Sequence, residues 1–147
     1  MSSRRAEIRI DASIVCDDIR QEKNDKFIFI GVYSDAIEST QIPITLPRLG
    51  IGLRARILAP GSAAFQTTLQ DPNGGMVFDV RGDINYEGEP GHATWIVLIS
   101  PPVILPVDGV YPLRAFVDGE PVFNDHVRVV RRPPRVEQQP ASPSRPN

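Results

Sequence analysis

Apolar and polar residues alternate almost from the start of the chain. Ile8, Ile10, Ala12, Ile14 and Cys16 fall on one side of the alternation, and Glu7, Arg9, Asp11 and Ser13 on the other. A period of two marks a half-buried β-strand. It places Cys16 on the core side, as a small apolar residue. Asp17-Asp18 and the polar stretch from Gln21 to Lys26 interrupt the pattern. Phe27 to Tyr33 is then continuously apolar, which predicts a central strand covered on both faces, with a bulge or a close backbone approach at Gly31. Leu49, Ile51, Leu53, Ala55 and Ile57 alternate again, and Ala59-Pro-Gly-Ser62 turns the chain. Phe65, Thr67 and Leu69 lead through Asp71-Pro-Asn-Gly-Gly75 to Met76, Phe78 and Val80, a hairpin by its turn chemistry. Thr94 to Ser100 predicts a second strand covered on both faces. Asp108-Gly109 turns into Tyr111, Leu113, Ala115 and Val117, and Asp118-Gly119 turns back into Val122 to Val130. The second of these turns is the strongest hairpin signal in the chain.

Two short apolar pieces, residues 42–47 (IPITLP) and 101–106 (PPVILP), are bracketed by proline. Each reads either as an edge or crossover packed on the domain's own core, which is favoured, or as an exposed edge that recruits a partner strand. Residues 82–92 read as a polar loop, and a short helix from Asp35 to Thr40 has no cap to support it. The pattern gives an all-β fold: a single immunoglobulin-like β-sandwich of about 7–9 antiparallel strands, with a small closed barrel as the alternative. Residues 1–6 form an arm, 7–132 the domain, and 133–147 a Pro/Ser-rich tail without apolar periodicity, expected to be disordered.

Composition supports this outline. Fifteen prolines and 11 glycines in 147 residues are the punctuation of a many-turned β protein. A net charge of −2 gives no footprint for nucleic acid. The single cysteine allows no internal disulfide. After Arg4-Arg5, charges recur at Glu7, Arg9 and Asp11, so no signal-peptide core follows, and no run is long enough for a membrane span. The expected location is cytoplasmic, in a bacterium.

The segments IRIDASIVCDDI, KFIFIGVYSDAI, LPRLGIGLRARI, DPNGG and GVYPLRAFVDGEPV together carry a resemblance over residues 7–130. The chain resembles a bacterial family of immunoglobulin-like β-sandwich proteins catalogued as a domain of unknown function. The resemblance implies one β domain and transfers no activity and no site residue.

Candidate chemistry is sparse. One cysteine with His92 and His126 shows no zinc spacing. No nucleophile elbow and no glycine-rich phosphate loop is present. The acids Asp17, Asp18, Asp71, Asp83, Glu87, Glu89 and Asp108 are too dispersed for a calcium cage. Arg128, Arg131, Arg132 and Arg135 form a basic run without stacking aromatics, read as a solubilising exit from the domain. Tyr86, flanked by Asp83, Glu87 and Glu89, offers the alternative of a small-ligand or carbohydrate site on the 82–92 loop. The expectation is therefore a non-enzymatic protein-binding or scaffolding module with no catalytic, cofactor or metal residues. Its partner is protein, self or other, with no nucleic acid.

Overall fold

The computed structural model describes residues 4–134, and the expected tail lies outside the described residues from 135 onward. The described chain forms strands β1 (Glu7–Gln21), β2 (Phe27–Val32), β3 (Ala36–Ser39), β4 (Ile44–Leu46), β5 (Gly50–Ala59), β6 (Gly61–Gln70), β7 (Met76–Tyr86), β8 (Ala93–Ile99), β9 (Val103–Leu105), β10 (Gly109–Val117) and β11 (Glu120–Arg131). Four strands make one sheet in the order β2-β1-β5-β8, and five make the other in the order β3-β11-β10-β6-β7. All pairings are antiparallel except β3 with β11. The inner faces interdigitate through Ile51, Leu53, Ala55 and Ile57 of the first sheet and Phe65, Leu69, Leu113, Ala115 and Val129 of the second.

The architecture is an immunoglobulin-like sandwich. Tyr111 is fully buried at the start of β10, and its hydroxyl donates to the carbonyl of Val107 while accepting from the Val107 amide at 3.3 Å. This is the tyrosine corner of such sandwiches. The Asp118-Gly119 hairpin closes the domain, with both residues at positive φ (50° and 81°). Asp118 ties it to β6 by accepting from the Ala64 amide at 2.9 Å, and to the N-terminus through Arg5 at 2.8 Å. At the β6–β7 turn, Asp71 Oδ1 accepts from the amides of Asn73 (2.7 Å) and Gly75 (3.0 Å).

Several expectations are corrected. Asp17 and Asp18 lie within β1, which continues to Gln21. The apolar alternation of β1 does not stay on one face. A register shift between Ile10 and Ala12 leaves Ile8 and Ile10 in the core but turns Ile14 to the outer face, opposite Gly52. The segments 42–47 and 101–106 pair with each other as β4 and β9, with Ile44 opposite Leu105. Val103 and Leu105 are buried in the main core, so the favoured packing reading holds for that piece. Residues 82–86 belong to β7, leaving only 87–92 as loop, and Asp35–Thr40 contains strand β3 and no helix. The arm is docked at its inner end: Ala6 is buried, and its amide and the Arg4 carbonyl bond to Ser62.

The largest correction concerns Phe27–Tyr33 and Thr94–Ser100. The strands they contain, β2 and β8, are the two edges of the four-stranded sheet. Both segments are apolar on two sides because that sheet carries apolar residues on its outer face as well as its inner one.

Candidate functional site

The outer face of the four-stranded sheet is built around two glycines. Gly50 and Gly52 of β5 leave a shallow bed. A Cβ on Gly52 would come to 2.4 Å of Phe29 Cε1, and one on Gly50 to 2.9 Å of Cys16 Sγ and Ile19 Cγ1. The side chains of β1 and β2 therefore fold down onto the glycines. Ladder register adds Ile14 from β1, and Trp95, Val97 and Ile99 from β8, opposite Arg54, Gly52 and Gly50. Phe29 and Trp95 meet edge to face with ring centroids 5.0 Å apart. None of Ile14, Ile19, Phe29, Trp95, Val97 or Ile99 packs on the main core. They form a second apolar layer on the outside.

How β1 and β2 reach this face is set by Gly31. Its φ is +67°, and the ladder skips Gly31 and the facing Asp17. The break changes the phase of the alternation, so Cys16 and Ile19 both cover Gly50. Tyr33 donates from its hydroxyl to Asp17 and holds the break in place. Burial and this carboxylate push the Tyr33 phenol well above its ordinary range. Burial likewise pushes the Cys16 thiol up, so Cys16 is a covered apolar residue and not an activated nucleophile.

The two sheets treat their edges differently. The five-stranded sheet ends in β3, four residues long with Glu38, and in β7, which carries Asp79, Arg81 and Asp83. Short and charged edges resist pairing with other chains. The four-stranded sheet ends in FIFIGV and ATWIVLI, without a charge or a proline. Ile28 and Ile30, on the opposite side of β2 from Phe29, are each 43% exposed, and Val32 is 51% exposed.

The outer face carries Arg54 and Arg56 on β5, with Arg9 and Asp11 of β1 beside Arg56. Arg56 meets Asp11 at 3.7 Å and donates to the Gly91 carbonyl at 2.8 Å. Arg54, exposed and directly opposite Trp95, has no carboxylate within salt-bridge distance among the described residues. Trp, Phe and an unpaired Arg on an apolar bed make the composition of a binding hot spot.

The residues singled out from the sequence are placed elsewhere. His92 lies exposed in the 87–92 loop, where its carbonyl accepts from the Ile57 amide at 2.9 Å. His126 is exposed on β11, with Nδ1 at 3.9 Å from Asp125, outside hydrogen-bond reach. His92 precedes β8 of the four-stranded sheet, whereas His126 lies on β11 of the five-stranded one. No three His, Cys, Asp or Glu side chains converge as a metal site among the described residues. Tyr86 is half-buried against the core, and its hydroxyl donates to the Glu89 carbonyl at 3.3 Å within its own loop. That packing removes the exposed aromatic on which the small-ligand alternative depended. Of the basic run, Arg128 pairs with Asp35 at 2.9 Å and Arg132 with Glu38 at 3.2 Å; Arg131 is exposed with no ion pair among the described residues, and Arg135 lies outside them. Asp18 pairs with Arg20 at 3.2 Å and Asp71 is spent on its turn.

Sequence reasoning missed the outer face because it took double-sided hydrophobicity as a sign of central strands. The signal that could have found it is the Gly50-x-Gly52 pair in a strand, which asks what lies over the missing side chains.

Solved structures match this chain at low identity. A β-glucosidase from Listeria innocua, in complex with gluconolactone, matches at 10% identity and a TM-score of 0.44, covering 86% of this chain. This chain spans only 16% of that enzyme. An immunoglobulin-like protein from Pseudomonas aeruginosa matches at 14% identity and a TM-score of 0.42, over 86% of this chain and 98% of that one. No curated protein matches. A family model matches residues 11–130, nearly the whole sandwich from within β1 to within β11, and the chain belongs to that family of unknown function, DUF6941.

Proposed function

We propose that the chain is a non-enzymatic protein-binding module whose working surface is the four-stranded sheet, through its outer face and its open edges. One observation carries this reading. The sheet sets Trp95 and Phe29 on a bed of glycines beside an Arg54 that has no counter-ion among the described residues. Such a surface fits a polypeptide that brings apolar side chains and a carboxylate. The uncharged edges of the same sheet support it, since a guarded pair of edges exists on the other sheet of the same molecule. The absence of convergence between His92, His126 and the acids favours binding over catalysis. In the same proposal the module works in a bacterial cytoplasm. Cys16 is a free, buried thiol, and among the described residues no helix is long and apolar enough to cross a membrane.

The test is capture from the native host by three forms of the chain: wild type, Trp95→Ala/Arg54→Glu, and Arg81→Glu on the guarded sheet. Proteins retained by wild type and Arg81→Glu but lost with the double variant support the reading. Equal retention by all three, or by none, refutes it. Trp95 is the only tryptophan, so its emission should shift to the blue when the retained partner is added back.

A further inference from the structure

The open side of β8 narrows what kind of polypeptide the sheet takes. Before the strand, the Ile57 amide donates to the His92 carbonyl at 2.9 Å, and after it the Ser100 amide donates to the Leu49 carbonyl at 2.9 Å. Between these bonds the antiparallel register runs unbroken from Arg56 opposite Ala93 to Gly50 opposite Ile99. Backbone bonding alternates along such a ladder, so Thr94, Ile96 and Leu98 bond inward to β5. The N–H and C=O groups of Ala93, Trp95, Val97 and Ile99 therefore point away from the sheet, at an edge with no further strand. The same four residues carry their side chains on the outer face. A strand added here bonds to them and sets its own bonded residues beside them on that face.

Charge beside this edge has one sign in excess. Three arginines, Arg9, Arg54 and Arg56, share one carboxylate, Asp11, which meets Arg9 at 2.9 Å and Arg56 at 3.7 Å. Glu7 precedes them on β1, and Glu87 and Glu89 lie in the loop before β8. None of these three acids comes within salt-bridge distance of an arginine among the described residues. Ala93, the β8 residue opposite Arg56, is small and exposed. Strands lie about 4.8 Å apart, so an acidic side chain on an added strand reaches Arg56 and Arg54 across that one small residue. Towards the other end the face is apolar, with Val97 opposite Gly52, and Ile99, 42% exposed, opposite Gly50. The β2 edge offers no such division: the turn before it carries Glu22 and Asp25 beside Lys23 and Lys26.

We propose that β8 takes an extended acidic–apolar segment of a partner protein as a fifth strand, with Glu or Asp opposite Ala93 and apolar side chains opposite Val97 and Ile99. The proposal rests on the protein-binding reading and names the form and chemistry of the partner. Bonded positions fall on every second residue, so the acid stands four residues from one apolar side chain and six from the other. Backbone bonds hold the strand, Arg54 and Arg56 select the acid, and Trp95 packs between the two ends. A basic side chain in place of the acid faces three arginines and is refused.

A library of random 12-residue peptides displayed on phage, selected on the full 147-residue chain, tests this. Enriched sequences should alternate apolar and polar residues and hold Asp or Glu four and six residues from apolar ones. The most enriched peptide, once synthesised, should shift the emission of Trp95 on titration. Arg54→Ala should weaken its binding by about tenfold or more, as should Gln in place of the peptide's acid. Arg81→Ala, on the other sheet, should leave binding unchanged. Arg54 is exposed, so its variant keeps the fold, checked by circular dichroism. In wild type, residue-resolved amide exchange should gain protection at Ala93, Trp95, Val97 and Ile99 when the peptide binds. Four results overturn the proposal: no enrichment, enrichment without the acid, binding that survives Arg54→Ala, or no protection gained at these four amides. Capture with Trp95→Ala/Arg54→Glu reads the broader claim separately. Host proteins captured through the face, with no peptide enriched, remove the added strand and leave the sheet a surface for a folded partner.

Discussion

A Cβ on Gly52 would sit 2.4 Å from the Phe29 ring, and this one missing side chain organises the outer face. Glycine weakens a strand, so its presence mid-strand asks for a compensating contact. Phe29 supplies it and then meets Trp95. Cys16 shows the same logic. Its position in the alternation placed it correctly as a buried, inert residue, but on the wrong side of the sheet. The register shift near Ala12 has no single-residue signature, because no glycine or proline marks it. The thiol gives a pH prediction with a definite sign. Burial raises its pKa from the ordinary 9.0, so in the folded chain it stays protonated when the unfolded thiol ionises. The stability this contributes is fully present below that value and is lost as pH rises above it. Denaturant unfolding should therefore show a fall in stability on moving from neutral pH to above 9.0, and Cys16→Ala should lessen that fall. An identical fall in both proteins would contradict the burial of the thiol.

At the scale of elements, turns were legible and strand neighbours were not. Asp118-Gly119 and Asp71–Gly75 have local chemistry, positive φ and self-bonding aspartate, that needs no knowledge of the rest of the chain. The partnership of β4 with β9 joins residues far apart in sequence, and proline within each segment only said that neither is central. Burial shows what that small pair does. Leu105 is fully covered, and Ile104 between it and Val103 is 60% exposed, so β9 presents its alternate side chains as a lid over one end of the core. Leu105→Ala should cost about 2–5 kcal/mol by thermal or denaturant unfolding, as a truncation within the main core. Ile104→Ala should stay within about 0.5 kcal/mol. Equal costs at the two sites would mean that the β4–β9 pair is not packed as described. The tyrosine corner was also within reach of the sequence, as a tyrosine two residues after Asp108-Gly109 at the start of a strand.

For the whole molecule, one sheet is finished and the other is open. The five-stranded sheet ends in a short strand and a charged one, and its cations at Arg81, Arg128 and Arg132 are matched by Asp79, Asp35 and Glu38. The four-stranded sheet has neither protection. Hydrophobic patterning alone revealed the sandwich, since the inner faces alternate as they must. It did not reveal which sheet would be left uncovered, because an apolar outer face and a second buried face read alike along the chain. The central claim is that the open sheet is the binding layer. Amide hydrogen exchange, comparing the free chain with the chain bound to whatever wild type retains, tests it most directly. The account predicts added protection in Phe27–Val32 and Ala93–Ile99, with Ala36–Ser39 and Met76–Tyr86 unchanged. Protection gained at β3 or β7, with β2 and β8 exchanging as before, would contradict it.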